Sequence, residues 1–154
     1  MLKRYWFVLA VGLVFVGGLL PSAGLGWGSK PKSTPARDLN VTLSVGKDSY
    51  RTGEAIRATL HVANHASGAV TLIFSTSQRY DLAVETEGGH ELWRWSRGRF
   101  FLQVVGKEIL EPDGPPLTYH IEVPVPDEPG RYRLIGTLTT RSQVLSATAF
   151  FTVR

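Results

Sequence analysis

The sequence predicts an all-β fold in which antiparallel strands form a two-layer sandwich, preceded by an N-terminal hydrophobic segment. Short segments of alternating apolar and polar residues recur after residue 38, and turn-forming clusters separate them. The glycine pair Gly88-Gly89 lies between two such segments, which is a strong hairpin signal. No stretch after residue 38 has convincing helical periodicity, and no repeat of roughly 20 to 50 residues indicates a solenoid or propeller. Together these observations favour a sandwich.

The N-terminal segment, residues 1–24, has the pattern of a secretory signal peptide or a membrane anchor. A positive stretch, Met1–Arg4, precedes an apolar run over 5–20, and small residues follow it. Cleavage after Ala23 or Gly24 is one interpretation. A retained anchor is the other, because the run is close to the ~20 apolar residues that a bilayer span needs. The positive flank precedes the apolar run in both cases, so we expect an extracytoplasmic domain, either secreted or tethered to the membrane by this segment.

Composition indicates one globular domain, residues 39–154, after a linker over 25–38. The 154 residues are 43% hydrophobic and 19% charged, which is typical of a chain with its own core. Cysteine is absent, which excludes disulfides, a thiol nucleophile, Cys-ligated zinc and a lipoprotein anchor. The net charge is +4, of which Lys3 and Arg4 supply two charges. The small remaining excess does not argue for a nucleic-acid partner.

Alternation defines the strands before the glycine pair. The first strand is predicted over residues 39–45, and a polar turn follows at 47–54. The inward side chains of the second strand are Ile56, Ala58, Leu60 and Val62. A turn cluster at 64–68 precedes a third strand, which is defined by Val70, Leu72 and Phe74.

The segment from Tyr80 to Ser96 is predicted to form a hairpin whose two-residue loop is Gly88-Gly89. Glycine suits such a loop because these turns require positive φ. Counting outward from the loop gives the cross-strand pairs Glu87–His90, Val84–Trp93, Leu82–Trp95 and Asp81–Ser96. Alternation assigns to one apolar face Tyr80, Leu82, Val84, Trp93 and Trp95. The opposite face holds Asp81, Ala83, Arg94 and Ser96, and there Asp81 and Arg94 are diagonal neighbours that can pair.

The second half of the chain continues the strand pattern. Two apolar segments, 99–105 and 107–110, follow the hairpin, and a loop with three prolines comes next. Alternation then resumes at Tyr119, Ile121 and Val123, and the last two strands contain Leu134, Leu138, Leu145, Ala147, Ala149, Phe151 and Val153. Residues 127–132 resemble the tyrosine corner of immunoglobulin-like sandwiches, in which a tyrosine hydroxyl, here that of Tyr132, bonds to upstream backbone. The predicted sandwich is therefore immunoglobulin-like.

Several of these residues follow one another in the order and spacing of a bacterial family. They are Ser77-Gln78-Arg79-Tyr80-Asp81, Trp93-Arg94-Trp95-Ser96, the pair Phe100-Phe101, and Gly130-Arg131-Tyr132. The pattern resembles the BsuPI-type proteinase inhibitor domain over roughly residues 39 to 153. The resemblance implies an immunoglobulin-like sandwich without enzymatic activity that acts by contact with a serine protease of the subtilisin-like type.

No inhibitory residue is carried over from the family. We therefore interpret the motif residues Tyr80, Asp81, Trp93, Arg94, Trp95, Ser96 and Tyr132 as structural. The member that gives the family its name acts inside the cell, whereas this chain carries an export segment. We therefore expect the partner protease outside the cytoplasm.

Catalytic and metal sites are less favoured than structural roles. Ser96, His90 and Asp81 suggest a hydrolase, but no Gly-x-Ser-x-Gly elbow is present, and about 20 Å of strand separates Ser96 from His90. His61 with His65 straddles a strand end and a turn, and His90 with Glu91 lies beside the glycine loop, so surface histidines are favoured over a metal site. No catalytic residue, metal or cofactor is predicted.

Nucleic-acid and aromatic-platform sites are also less favoured. Arg94, Arg97 and Arg99 are interleaved with aromatic residues, as on surfaces that bind single-stranded nucleic acid. Alternation turns Trp93 and Trp95 toward the core, however, which removes them as stacking platforms for bases. The tryptophans could instead form a platform for sugars or peptides, but packing in the core is favoured. The only membrane contact predicted is through the N-terminal segment.

Loops are the expected contact surfaces, because recognition on sandwich scaffolds is carried by loops. The longest and stiffest spans 103–118, and its centre is Glu111, Pro112, Asp113, Gly114, Pro115 and Pro116. Proline rigidity lowers the entropic cost of presenting a segment to a protease cleft. The sequence thus predicts an exported proteinase-inhibitor domain; the alternative is an extracytoplasmic binding or adhesion module of the cell envelope that is not an enzyme.

Overall fold

A computed structural model describes residues 39–154, and within them every regular element is a β-strand. The ten strands are β1 (Leu39–Val45), β2 (Ser49–Tyr50), β3 (Ala55–Asn64), β4 (Val70–Phe74), β5 (Tyr80–Thr86), β6 (Glu91–Arg94), β7 (Gly106–Leu110), β8 (Leu117–Pro124), β9 (Gly130–Leu138) and β10 (Leu145–Val153). The predicted signal or anchor segment (1–24) and linker (25–38) lie outside the described residues. Across residues 39–154, no helix has the length and apolar character needed to cross a membrane.

The strands form three sheets with the orders β1-β3-β8, β2-β10-β9-β5-β6 and β4-β7. Neighbouring strands are antiparallel except β2, which runs parallel to β10. This arrangement confirms the predicted all-β, immunoglobulin-like sandwich.

Alternating side chains build the core between the sheets. In β3, Ile56, Leu60 and Val62 are fully buried, as their two-residue spacing predicts. They join one apolar cluster with Leu134 of β9, which belongs to the five-stranded sheet. The sheets pack tightly at Gly136 of β9, where an added Cβ would lie 3.1 Å from Leu60 Cδ1 and 3.4 Å from Leu43. A larger residue there would have to displace the Leu60 side chain.

The turn of the β5–β6 hairpin differs from the prediction. The backbone N–H of Thr86 donates to the carbonyl of His90 at 2.9 Å, and the N–H of Gly89 donates to the carbonyl of Thr86 at 3.0 Å. The loop therefore has three residues, Glu87-Gly88-Gly89, and the predicted Glu87–His90 pair is wrong. Gly89 has a φ of +86°. A three-residue hairpin loop with its last residue in the left-handed region is the next most common type after the two-residue loops.

Farther from the loop, the predicted register holds. Val84 faces Trp93 and Ala83 faces Arg94. The three-residue turn shifts the pairing by one residue, and a bulge beside Val84 shifts it back by one residue. Trp93 and Trp95 pack against the core, as alternation predicts. The opposite face of β5 is also buried, since Ala83 is only 4% exposed.

Two other differences concern short elements. Ser49–Tyr50 lies within the predicted turn 47–54 but forms β2 against the end of β10, and two residues are too few to show an alternating pattern. The predicted contact loop 103–118 is also shorter than expected, because β7 and the start of β8 lie within it. Of the predicted loop, residues 111–116 form the connection between β7 and β8, and residues 103–105 end the connection that precedes β7.

Candidate functional site

The carboxylate of Asp81 is the centre of a polar network on the outer face of β5. Its Oδ1 accepts hydrogen bonds from the backbone N–H groups of Leu82 (2.9 Å) and Ser96 (3.0 Å). Its Oδ2 accepts from the Ser96 hydroxyl (2.7 Å) and from Arg94 Nη1 (3.0 Å). The predicted Asp81–Arg94 pair is confirmed. Through its bonds to Ser96, the carboxylate also fixes the position of the chain just after β6 ends.

Arg94 joins this network to a second carboxylate. Its Nε donates to Glu91 Oε2 at 3.0 Å, and Arg97 Nη2 lies 2.8 Å from Glu91 Oε1. The hydrogen bond from Arg94 lowers the pKa of Glu91 below its ordinary value, and the two carboxylates raise the pKa of Arg94. Arg94 and Arg97 are therefore both ion-paired and do not form a free basic surface for nucleic acid.

The eleven-residue connection between β6 and β7, residues 95–105, is named here the aromatic loop. Trp95 begins it and is half-buried, with its ring 4.6 Å from that of Tyr80 and 5.8 Å from that of Phe101. The guanidinium of Arg99 lies 4.3 Å from the Trp95 ring centre, and its Nε donates to the Trp95 carbonyl at 2.8 Å. The Tyr80 ring also packs at a tilt against the ring of Tyr119 of the other sheet, with the ring centres 4.7 Å apart. This aromatic cluster fixes the base of the loop on the core.

Ser77 holds the middle of the aromatic loop. Its backbone N–H donates to the carbonyl of Leu102, and its hydroxyl accepts from the N–H of Leu102, both at 2.9 Å. A single serine thus satisfies both backbone groups of one loop residue. Ser77 lies four residues before Asp81, so one segment of the chain supports the loop at two separate points.

Arg79 lies beside the residue that follows the loop. Its guanidinium covers Gly106, the first residue of β7, so closely that an added Cβ would overlap it. The same guanidinium donates to the Thr76 carbonyl (2.9 Å), pairs with Glu108 (3.2 Å) and lies over the ring of Phe74 (4.8 Å). Within the motif, Ser77, Tyr80 and Asp81 therefore contact the aromatic loop, and Arg79 contacts the strand that follows it.

The supported loop displays apolar side chains to solvent. Phe100 is fully exposed, Leu102 is 73% exposed, and Val104 and Val105 are more than half exposed. Water-exposed apolar side chains that are adjacent in sequence and held in place typically mark a binding surface.

The sequence reasoning missed this surface. Phe100 and Phe101 enter the sequence prediction as part of the family pattern and of the less favoured nucleic-acid surface, and residues 99–105 enter as one more apolar segment. The sequence contains a signal for this surface. The turn-forming Ser96-Arg97-Gly98 precedes an apolar run that does not alternate, and such a run does not match the pattern of a strand with one buried face.

The predicted contact residues Glu111, Pro112, Asp113, Gly114, Pro115 and Pro116 lie at the opposite end of β7. All are exposed except Gly114, which is intermediate. The N–H of Asp113 donates to the carbonyl of Asn64 at 3.0 Å, and Asp113 has a φ of 49°. This proline loop is supported by its neighbours, but the side chains that it exposes are mainly prolines and carboxylates. Its role in partner contact stays a prediction.

The residues that could form a catalytic or metal site each bond to a different partner. The Ser96 hydroxyl donates to Asp81, whereas the His90 N–H donates to Thr86 Oγ1. His61 Nδ1 lies 2.9 Å from the Thr118 hydroxyl. Within residues 39–154, no group of three or more His, Asp or Glu side chains could hold a metal ion.

Tyr132 forms the predicted tyrosine corner. Its hydroxyl donates to the carbonyl of Glu128 at 2.7 Å, and its ring stacks on Phe151. This corner fixes the start of β9 and lies apart from the hydrogen bonds that support the aromatic loop.

The sandwich thus presents a supported apolar loop to solvent, an arrangement typical of domains that bind other proteins. A model of the BsuPI family, described as intracellular proteinase inhibitor, matches residues 43–143. The chain belongs to this family. Membership places it among inhibitors that bind proteases and are generally not enzymes.

Comparison with curated proteins found no match. Among solved structures, a CARDB domain from Pyrococcus furiosus, crystallised with di-metal ions, is 17% identical over 76% of this chain and 88% of that chain, with a TM-score of 0.45. The sporulation control protein Spo0M from Bacillus subtilis is 14% identical over 75% of this chain and 48% of its own, with a TM-score of 0.46.

Proposed function

We propose that this chain is an exported proteinase inhibitor that blocks a serine protease by binding it outside the cytoplasm. The observation that carries the proposal is the aromatic loop, which displays Phe100 and Leu102 to solvent while Ser77 and Asp81 hold its backbone. A surface that is already ordered loses little entropy on binding, which favours a tight complex. Family membership supplies the class of partner.

The extracytoplasmic location is supported by the order of charges and apolar residues in the N-terminal segment. Lys3 and Arg4 precede the apolar run, and the next charge is Lys30. Either a cleaved signal or a retained anchor delivers residues 39–154 to the same side of the membrane. The partner is accordingly a secreted or envelope protease, and we propose one of the subtilisin-like type.

Titration of the full chain, purified in mild detergent, against a panel of serine proteases tests this function. The panel contains subtilisin-like, chymotrypsin-like and trypsin-like enzymes, each also prepared with its nucleophilic serine replaced by alanine. We expect saturable, stoichiometric loss of activity for at least the subtilisin-like enzyme, and binding to its inactive form. Detergent alone is the control. An absence of both inhibition and binding across the panel contradicts the proposal and favours the envelope binding module.

The proline loop is tested in the same assay. If it contacts the protease, Pro115→Ala and Pro116→Ala will weaken inhibition, because both prolines are exposed and stiffen the loop. Five residues of β7 separate this loop from the aromatic loop, a strand length of about 15 Å. Variants in the two loops therefore report on distinct surfaces.

A further inference from the structure

We propose that the aromatic loop binds across the protease active site like a substrate, with the Phe100 side chain in the primary specificity pocket. The partner is then a serine protease whose pocket accepts a large apolar side chain. This inference rests on the proposed function and adds the contact residue and the specificity of the enzyme.

The backbone of the loop singles out one position. Proteases hold a substrate segment by its main-chain N–H and C=O groups and read side chains in separate pockets. None of the hydrogen bonds within residues 39–154 uses the backbone N–H or C=O of Phe100 or Phe101. By contrast, Ser77 occupies both backbone groups of Leu102. The free backbone is therefore at the phenylalanine pair.

The two phenylalanines differ in the surroundings of their side chains. The Phe101 ring packs on Trp95, whereas Phe100 is fully exposed and points away from the domain. Phe100 thus combines an unpaired backbone with an unpacked side chain, which the residue entering a specificity pocket requires.

The neighbouring arginines do not compete for this role. A trypsin-like pocket binds a basic side chain through a buried carboxylate. The Arg99 guanidinium stacks on Trp95 and donates to its carbonyl, and Arg97 is paired with Glu91. Both arginines would have to give up existing contacts, whereas Phe100 gives up none.

The supports explain how such a loop inhibits rather than serving as an ordinary substrate. The segment is held on both sides of the Phe100–Phe101 bond, by Trp95 and Asp81 before it and by Ser77 after it. Hydrolysis would add one water and leave a carboxylate on Phe100 and an amine on Phe101. Because the two new ends stay fixed next to each other, they separate slowly and re-formation of the bond is favoured.

Variants of Phe100 test the assignment, with Phe150→Ala as the matched control. Phe150 is also an exposed phenylalanine, 70% accessible, but lies on β10. We expect Phe100→Ala to weaken inhibition of chymotrypsin- and subtilisin-like enzymes on the order of 100-fold, as for a central contact residue. Phe150→Ala should change it less than about twofold. Phe100→Arg should gain inhibition of trypsin. Unchanged melting temperatures will verify folding, since both side chains are exposed.

Each other outcome has a defined meaning. If the wild-type chain inhibits but Phe100→Ala inhibits equally well, or Phe150→Ala is equally impaired, this assignment is overturned while the proposed function stands. If Phe100→Ala is weaker but Phe100→Arg gains nothing against trypsin, Phe100 contacts the enzyme outside its pocket and the assignment is again overturned. If the wild-type chain inhibits no protease, both proposals fail. Mass spectrometry after long incubation should find the first cut between Phe100 and Phe101; a first cut elsewhere contradicts the assignment.

Discussion

Replacing Asp81 by alanine should destabilise the domain and release the aromatic loop. The carboxylate accepts four hydrogen bonds, from the N–H groups of Leu82 and Ser96, the Ser96 hydroxyl and Arg94. The residue is 9% exposed, so water replaces these bonds poorly. The variant therefore leaves backbone donors without an acceptor at the point where β6 ends.

The magnitude follows from the four bonds taken separately. The three bonds from Leu82 and Ser96 contribute about 1 kcal/mol each. The bond to Arg94 contributes less, because the Arg94 side chain is 40% exposed and keeps Glu91 as a partner. We therefore expect Asp81→Ala to lower the free energy of unfolding by about 3 kcal/mol, which corresponds to about 10 °C in melting temperature for a domain of this size.

Urea unfolding followed by circular dichroism measures this loss, and Asp81→Asn divides it. Asparagine keeps the Oδ1 acceptor for the two N–H groups and removes the Oδ2 acceptor for Arg94 and the Ser96 hydroxyl, so about half of the loss is expected. Arg97→Ala is the control, because that arginine is 64% exposed and should contribute less than about 0.5 kcal/mol. A stability of Asp81→Ala within about 0.5 kcal/mol of wild type would refute the reasoning.

Three further predictions concern the core. The Tyr119 hydroxyl is buried without a hydrogen-bond partner among the described residues, so Tyr119→Phe should raise stability at pH 7 by about 1 kcal/mol in urea unfolding. Burial, aided by a nearby carboxylate, raises the pKa of Tyr119 to about 12 from 10.0. Because the unfolded chain therefore loses this proton at lower pH than the folded chain, the stability of the wild type should fall between pH 10 and 12. Tyr119→Phe should lose less stability over that range. Tyr132→Phe removes the bond to the Glu128 carbonyl and should cost about 1 kcal/mol; a melting temperature equal to wild type would show that the corner is dispensable. Gly136→Ala places a methyl group 3.1 Å from Leu60 Cδ1 and should cost about 1 to 3 kcal/mol by calorimetry, whereas a neutral result would mean that the sheets can separate there.

The β5–β6 hairpin shows how far local pattern reaches. Alternation gave the correct pairing of Val84 with Trp93 and the correct proximity of Asp81 to Arg94. Counting from the glycine pair predicts the wrong turn. The actual turn has three residues rather than two, and the bulge compensates for the extra residue, so the pairs beyond the bulge are the same in both cases. A sequence pattern with a period of two residues cannot distinguish these cases, since both return the same side chains to the same faces.

The candidate site was less predictable than the fold. Nothing local to Ser77 indicates that its side chain supports a loop residue 25 positions later in the chain. The exposure of Phe100 is also a tertiary property, since its neighbour Phe101 packs on Trp95 while Phe100 has nothing to cover it. The family resemblance identified these residues as a set but not their arrangement.

The sequence by itself determined the strand pattern, the apolar core and the family, because these depend on the order of apolar and polar residues along the chain. The tertiary structure decided which connection is a binding surface. Asp81 and Ser77 act at separate points of the aromatic loop only because the β5–β6 hairpin brings that loop back to the chain entering β5. Contacts between residues distant in sequence depend on how the sheets pack. Hydrophobic periodicity predicts only which face of a strand each side chain occupies, so it does not predict these contacts.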